Sequence, residues 1–274
     1  CPPADLKVRH LNFAYPEGKK VLEDISFEAK PGEIIGITGT VACGKSTLGK
    51  VFLCEYPYEG EVLFGGKELQ KQTASERTGI ISYLGHDPEL FNDSIEANVL
   101  MGDQADAAYF LQMVCLDKEV DEMDDGLNTL VGNGGIRLSG GQAQRLALAR
   151  TLCHQKPVLI LDDPFSALDK NTEKQIFANL RQMTKDTVLL ISHRLYLFPE
   201  MDRVLWMENG HTISGTHQEL LEKVPEYQVL FEAQTEDRNR SDAGAHTDEK
   251  VHSDKNVFEM EQAIQKAGAD NGTK

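Results

Sequence analysis

Long hydrophobic runs are absent from the 274-residue sequence. No stretch approaches the roughly 18 consecutive apolar residues that a membrane-spanning helix requires, and the amino terminus lacks the basic-then-apolar pattern of a signal peptide. We therefore expect the chain as given to be soluble. It begins with Cys1 rather than Met, which indicates an excised piece. A membrane part that lies upstream in the parent protein would not be seen in it.

Basic residues and paired cysteines are also scarce. The sequence has 28 Lys and Arg against 44 Asp and Glu, which gives a formal net charge of −16. Because nucleic-acid backbones are bound through clustered Lys and Arg, we expect no nucleic-acid partner. The five cysteines are odd in number and form no CxxC pair. This usage is untypical of a disulfide framework or a zinc site and favours a reducing cytosol.

Short apolar runs rich in Val and Ile are present and alternate with helix-like stretches. They are IIGITG before Thr40, GIISYLG ending at Gly85, VLILDD ending at Asp163 and TVLLIS ending at Ser192. Continuous apolar strands separated by helices predict a mainly parallel sheet that is covered on both faces. LKVRHLNFAY and VLEDISFEAK alternate instead and predict a small antiparallel layer beside it. The predicted fold class is α/β.

Three local patterns organise the rest of the folded part. Residues 88–155 carry apolar side chains at helical spacing without an obvious strand, which predicts a helical insertion. The dipeptide Asn209-Gly210 predicts a hairpin. Thr216 and Glu219 form the sequence pattern of a capping box and predict a helix start.

The carboxyl-terminal residues differ in composition. Residues 235–256 are polar and nearly free of large apolar side chains, so they cannot bury enough surface to offset their ordering entropy. We therefore expect one domain over residues 1–234, followed by a disordered acidic tail over residues 235–274. Within that tail, VFEMEQAIQKA is at most a short helix.

The segment GTVACGKS matches the GxxxxGK(S/T) pattern of a phosphate-binding loop and sits between a predicted strand and a predicted helix. In such a P-loop, backbone N–H groups and the helix N-terminus surround the phosphates, Lys45 reaches the β and γ oxygens, and Ser46 ligates Mg²⁺. The alternative is a glycine-containing turn with a chance lysine. The predicted nucleotide ligands are Gly39, Thr40, Val41, Ala42, Cys43, Gly44, Lys45, Ser46 and Thr47.

Two carboxylates end the buried strand VLILDD. Asp162 stands where an aspartate would hold the Mg²⁺ shell of a bound nucleotide. Taken alone, two acids at a strand end could instead cap the next helix. Their position after a P-loop favours a metal site that Asp162 shares with Ser46.

LSGGQAQRLALAR is the most specific pattern in the chain. Ser139, Gly140 and Gly141 precede a predicted helix, whose N–H groups and dipole provide a second anion site. With the P-loop and LILDDPFSALD, this signature resembles the nucleotide-binding domain of ABC transporters, over about residues 6–232. The resemblance implies ATP and Mg²⁺ as ligands, ATP hydrolysis, and a head-to-tail dimer. In that dimer the signature, including Gln142, closes over ATP on the P-loop of a second domain.

Further positions match motifs of that family. Tyr15 in FAYP resembles the aromatic residue that stacks on adenine, although a Tyr after a strand also packs structurally. Asp169 ends SALD, which resembles the loop that crosses the dimer interface and contributes to the nucleotide site. His193 resembles the switch histidine that contacts the γ-phosphate; the alternative is a structural histidine.

Two longer segments indicate the kind of transporter. TLVGNGGIRLSGGQ and LFNDSIEANV resemble the pattern of exporters, in which the first segment contacts the coupling helices of the membrane domain. The resemblance therefore implies a transmembrane exporter partner and a position at the cytoplasmic face of a membrane.

Three positions depart from the family pattern, and they concern catalysis. Asp163 stands where a Glu normally polarises the attacking water, His86 replaces a Gln, and Asn133 replaces a Glu before the signature. The shorter arm of Asp163 withdraws the carboxylate by one bond, about 1.5 Å, from a water that it must hold within about 3 Å. Slow hydrolysis is predicted. We assign catalytic roles to Asp163, His193 and His86, with His86 also among the metal ligands.

Two functional interpretations stay open. In one, the chain forms a homodimeric exporter ATPase in which Asp163 still works as a weaker base. In the other, Asp163 makes this site an ATP-holding site, while Ser139 to Gln142 assist hydrolysis at the P-loop of a competent partner. A soluble ABC protein acting on ribosomes or DNA is disfavoured by the charge, the single cassette and the exporter-like segments.

Overall fold

A computed structural model describes residues 2–132 and 135–243 of the chain. These residues form ten strands in two sheets. The strands are β1 (Leu6–Ala14), β2 (Lys20–Ala29), β3 (Ile34–Gly39), β4 (Glu59–Phe64), β5 (Lys67–Glu68), β6 (Ile81–Leu84), β7 (Val158–Asp162), β8 (Thr187–Ile191), β9 (Arg203–Glu208) and β10 (His211–Gly215).

Six strands form the central sheet, in the order β10-β9-β3-β8-β7-β6. Neighbours pair in parallel except for β10, which runs antiparallel to β9. Every residue of β3, β7 and β8 is buried, because both faces of a parallel sheet are covered. The predicted α/β class with a mainly parallel sheet is confirmed. Since the carboxyl ends of parallel strands meet at one edge, the segments after β3, β6, β7 and β8 lie there together.

The other four strands form an antiparallel sheet in the order β2-β1-β4-β5. Its strands alternate buried and exposed positions over much of their length, since one face packs inward. On that face Val8, Phe13 and Ile25 belong to one buried cluster with Ile37 of β3 and Leu189 of β8. The predicted antiparallel layer therefore lies against the central sheet and rests on the strand that leads into the P-loop.

Nine α-helices complete the described part of the chain. They are α1 (Lys45–Val51), α2 (Ala74–Thr78), α3 (Ile95–Leu100), α4 (Ala107–Met113), α5 (Asp117–Asp121), α6 (Gly140–Cys153), α7 (Lys170–Met183), α8 (His217–Lys223) and α9 (Pro225–Ala243). Four of them, α3 to α6, occupy the predicted helical insertion over residues 88–155. In the described part of that range only isolated bridges occur and no strand joins either sheet.

Local sequence patterns predict two element boundaries, the turn between β9 and β10 and the start of α8. Asn209 and Gly210 both have positive φ, +49° and +81°, as a two-residue hairpin turn requires, and they join β9 to β10. The capping box at the start of α8 is present with both of its hydrogen bonds, between Thr216 and Glu219. Both predictions are confirmed.

The start predicted for the disordered tail, residue 235, is too early in the sequence. Helix α9 continues to Ala243, so residues 235–243 are helical. Once the amino-terminal part of a helix is fixed by packing, each added residue gains a hydrogen bond without a new nucleation cost. The VFEMEQAIQKA segment lies outside the described residues. Among the helices described, none combines the length and apolar character needed to cross a membrane.

Candidate functional site

The P-loop forms a tight backbone turn between β3 and α1. Three of its residues have positive φ: Gly39 at +154°, Ala42 at +57° and Gly44 at +98°. At Gly39 a Cβ atom would lie 1.9 Å from the carbonyl oxygen of Met207, so no side chain fits there. A tight turn in which left-handed residues alternate with ordinary ones directs its N–H groups inward and forms a concave anion site.

Lys45 lies over this turn. Its Nζ donates to the carbonyl oxygens of Gly39 at 3.0 Å and Thr40 at 2.8 Å, and it contacts Cys43 Sγ at 3.6 Å. Cys43 itself is buried, with 6% of its surface exposed. The loop carbonyls thus hold the ammonium group at the mouth of the anion site, where it can meet phosphate oxygens.

The end of β7 places a carboxylate beside the P-loop helix. Ser46 Oγ donates to Asp162 Oδ1 at 3.1 Å, and the hydroxyl of Tyr83 in β6 donates to Asp162 Oδ2 at 3.0 Å. Burial and the neighbouring Asp162 carboxylate raise the pKa of Tyr83. The Tyr83 phenol therefore stays protonated and fixes the Asp162 carboxylate opposite the Ser46 hydroxyl.

The donor set fits a small hard cation. Mg²⁺ takes oxygen ligands and is held in proteins by few side chains together with phosphates and water. Ser46 and Asp162 supply a hydroxyl and a carboxylate oxygen in contact with each other. No cluster of three or more His, Cys, Asp and Glu suited to a metal occurs in the part of the chain that the structure describes.

Asp163 lies between two histidines. Its Oδ2 is 3.3 Å from His193 Nδ1 and 3.6 Å from His86 Nδ1, while its Oδ1 is buried without a hydrogen-bond partner. The hydrogen bond to Asp163 raises the pKa of His193, and this effect outweighs burial. Asp163 also has a φ of +51°, which is uncommon for a residue other than glycine. The structure thus brings all three predicted catalytic residues together.

The signature begins α6 with a capping box. Ser139 accepts from the N–H of Gln142 at 3.2 Å, and Gln142 Oε1 accepts from the N–H of Ser139 at 2.9 Å. The Gln142 amide donates to Glu119 of α5 at 2.8 Å, and Arg145 pairs with the same carboxylate at 2.7 Å. Burial raises the pKa of Glu119, but these two partners outweigh it and leave the pKa lowered. A carboxylate from the helical insertion therefore fixes the start of α6.

One buried side chain of α6 reaches the catalytic edge. Gln144 donates to the carbonyl oxygen of Asp163 at 3.1 Å and to Ser166 Oγ at 3.0 Å. Its own amide oxygen accepts from the N–H of Ala167 at 3.0 Å. Through Gln144 the signature helix is bonded to the segment that follows β7.

Tyr15 and Asp169 take definite positions in this arrangement. The Tyr15 ring packs edge-on against Phe13 and Tyr56, and its hydroxyl lies 3.3 Å from Thr47 Oγ1. It is 37% exposed, so the ring borders solvent beside α1. Asp169 is the N-cap of α7 and accepts from the backbone N–H groups of the next turn. The hydrogen bond from the Thr172 hydroxyl, at 2.6 Å, and those from the backbone N–H groups lower the pKa of Asp169.

The sequence model of the ABC transporter family matches residues 22–166, just over half of the chain. The chain belongs to the ABC transporter family. It is 38% identical over 240 residues to the ATP-dependent lipid A-core flippase of Burkholderia pseudomallei, which covers 84% of this chain and 40% of that protein. It is 36% identical over 240 residues to the probable multidrug resistance ABC transporter ATP-binding/permease protein YheI of Bacillus subtilis, over 85% of this chain and 41% of that protein.

A solved structure of similar fold is a bacterial Atm1-family ABC exporter with ATP bound. The match has a TM-score of 0.80 and 28% identity, over 85% of this chain and 42% of that one. This ABC domain thus spans about two fifths of the length of the relatives that it matches. The predicted family and fold are confirmed. Since the ATP-binding domains of this family are ATPases, ATP as ligand and ATPase as enzyme class are confirmed as well.

Several residues that hold this ABC site together were not identified from the sequence. They are Tyr83, Glu119, Gln144 and Arg145. Gln144 and Arg145 carried a usable signal, because both are polar residues directly before the apolar run from Leu146 to Ala149 of the same helix. Asn133, one of the three departures from the family pattern, lies outside the described residues.

Proposed function

We propose that this ABC domain binds ATP with Mg²⁺ and powers a membrane exporter by closing head-to-tail on a second ABC domain. The observation that carries the proposal is that one chain holds two separate phosphate-binding motifs. The P-loop with Asp162 forms one at the edge of the central sheet, and Ser139 to Gln142 form the other at the start of α6. In a head-to-tail pair, each domain would supply one motif to each ATP.

The P-loop side chains would divide the work of binding the nucleotide. Backbone N–H groups from Gly39 to Ser46 would surround the phosphates, Lys45 would bind the β and γ oxygens, and Tyr15 would stack on adenine. Ser46, Asp162 and His86 would hold Mg²⁺, which when bound neutralises phosphate charge. Val41 and Thr47 would contribute loop contacts.

Hydrolysis would depend on the acid that lies between the two histidines. Asp163 would orient and deprotonate the attacking water, and His193 would contact the γ-phosphate. The Asp163 side chain is only 12% exposed, and its Oδ2 is within reach of His193. Because the Asp163 side chain is short and its carboxylate contacts the two histidines, it is poorly placed to hold an attacking water that lies beyond them.

This geometry supports a second, narrower function. The domain would hold ATP with little turnover, while its Ser139 to Gln142 segment assists hydrolysis on a competent partner. The alternative is an identical pair in which Asp163 acts as a slow base at both sites. The two functions differ in whether Asp163→Glu raises the rate of ATP hydrolysis.

A membrane partner is inferred from the relatives. The flippase and the ATP-binding/permease protein are more than twice as long as the matched region. We infer that a transmembrane exporter domain is the partner of this ABC domain as well. The ABC domain would then work at the cytoplasmic face of a membrane. The ABC domain would extend from residue 1 to the end of α9, with residues 88–155 as its helical subdomain.

Sedimentation velocity with and without ATP·Mg²⁺ tests the head-to-tail pair. We expect ATP to convert the monomer to a dimer as the protein concentration rises. Gly140→Asp is the matched variant, because a Cβ at Gly140 meets only Ala167 Cβ at 3.9 Å and the fold should persist. Its carboxylate would repel the phosphates of the facing ATP. We expect this variant to bind ATP and stay monomeric.

Two results would contradict the assembly. One is a chain that binds ATP and remains monomeric at every concentration. The other is a Gly140→Asp variant that dimerises as well as its parent.

A further inference from the structure

Helix α9 packs on the domain through one face. Tyr227 is fully buried and Leu230 is 8% exposed, and both belong to the core beside Trp206 and Phe198. Gln234 follows Tyr227 by seven residues, so it lies on the same face two helical turns further along. The packed face of α9 therefore brings a polar side chain to the end of β8.

Gln234 makes two hydrogen bonds to the segment that carries His193. Its Nε2 donates to the carbonyl oxygen of His193 at 2.8 Å, and its Oε1 accepts from the N–H of Leu195 at 2.8 Å. Both ends of the amide are thus used, and a donor and an acceptor are each required at this position. The Gln234 side chain thus acts as a clamp, bonded to the backbone at both His193 and Leu195.

The clamped segment touches two parts of the catalytic edge. His193 Nδ1 is 3.3 Å from Asp163 Oδ2. Arg194 donates to the carbonyl oxygens of Ser166 and Leu168 at 2.9 Å each, in the segment between β7 and α7. A shift of this backbone would therefore move His193 away from Asp163 and loosen the segment before Asp169.

Arg194 is in turn anchored in the interior. It pairs with Glu173 at 3.0 Å, and the Glu173 side chain is 1% exposed. Burial raises the pKa of Glu173, and the Arg194 charge opposes that rise. Arg194 is thus fixed at its side chain, whereas Gln234 fixes the backbone on either side of it.

We propose that Gln234 is a positioning residue, through which α9 holds the His193 segment against Asp163. This inference rests on the proposed function, in which Asp163 and His193 act in ATP hydrolysis. It makes α9 part of the catalytic machinery without any contact to the nucleotide. A displacement of about 1 Å at a reacting group can lower a rate on the order of 100-fold, so a clamp of this kind has a measurable effect.

The test compares two glutamines of the same helix. Gln234→Leu removes both hydrogen bonds at nearly constant volume. Gln228→Leu is the matched control, because Gln228 is exposed and its amide bonds only to Glu232 on α9 itself, at 2.7 Å. Gln234→Glu serves as a second variant, since it keeps the acceptor for Leu195 and loses the donor for His193. Each of these three substitutions is made both in the unaltered chain and in the Asp163→Glu variant.

We expect Gln234→Leu to lower kcat about tenfold while the ATP Kd changes less than about twofold. Gln234→Glu should lower kcat as well, and Gln228→Leu should change neither quantity. The imidazole NMR signals of His193, assigned by their loss in His193→Gln, should shift in both Gln234 variants and stay in place in Gln228→Leu. Equal kcat and unshifted His193 signals would overturn the proposal.

The two proposals fail separately. If none of the chains hydrolyses ATP, the proposed catalytic role of Asp163 and His193 fails, and the His193 signals still decide the positioning role. If hydrolysis is present and both Gln234 variants match the parent, the positioning role alone fails. If Gln234→Leu does not fold, Gln234→Glu decides the question by the same two readouts.

Discussion

Replacing Asp163 by Glu is expected to raise the steady-state ATPase rate of this chain at least about tenfold, because a positioned general base contributes on the order of 10² to 10⁴ in rate. The added methylene would carry the carboxylate about 1.5 Å further, past His193 and His86, which now contact its Oδ2. The gain should increase with protein concentration, since in the proposed head-to-tail pair a second copy supplies Ser139 to Gln142.

The rate is measured by phosphate release at several protein concentrations, with ATP affinity determined separately. Asp124→Glu is the matched control, because it makes the same chemical change at an exposed position outside the site and should leave the rate unaltered. A parent chain that already turns over, and whose rate Asp163→Glu hardly changes, would show that Asp163 is a working base. A homodimeric exporter would then be the better account.

Removing the ammonium group of the P-loop should have the largest effect on binding. Lys45→Ala is expected to weaken ATP affinity on the order of 100-fold, because hydrogen bonds from a charged donor contribute about 1.5 to 3 kcal/mol each and every 1.4 kcal/mol or so is tenfold in Kd. Lys45 now donates to the carbonyl oxygens of Gly39 and Thr40, which water would satisfy in the variant.

Isothermal titration with ATP·Mg²⁺ measures this change, and a thermal melt of each protein checks that the fold is kept. Lys174→Ala, at an exposed position of α7, removes the same charge elsewhere and should leave the affinity as it was. An unchanged affinity in Lys45→Ala would exclude the P-loop as the nucleotide site.

Most of the fold could be predicted from the sequence because local patterns set it. The buried strands are continuous apolar runs, and the hairpin at Asn209 and Gly210 needs two residues that tolerate positive φ. The capping box at Thr216 needs only the four residues from Thr216 to Glu219. Each of these signals lies within a few residues and needs no knowledge of the tertiary structure.

The supporting residues of the site could not be predicted in the same way. Gln144 and Gln234 are ordinary helix residues in the sequence, and their roles arise because tertiary packing sets them against the Asp163 and His193 backbones. Glu119 lies 23 positions before its partner Gln142. A disordered tail is predicted from residue 235, whereas α9 continues to Ala243, because composition alone does not show that packing at Tyr227 and Leu230 holds the start of the helix.

The nucleotide retained by the purified chain shows directly whether the P-loop binds ATP and whether hydrolysis at Asp163 is slow. The chain is incubated with ATP·Mg²⁺, freed of unbound nucleotide by gel filtration and denatured, and the released nucleotide is resolved by anion exchange. We expect a stoichiometric amount of nucleotide per chain, recovered chiefly as ATP, and none from Lys45→Ala. Recovery of ADP in place of ATP would contradict slow hydrolysis at Asp163, and recovery of no nucleotide would contradict ATP binding at the P-loop itself.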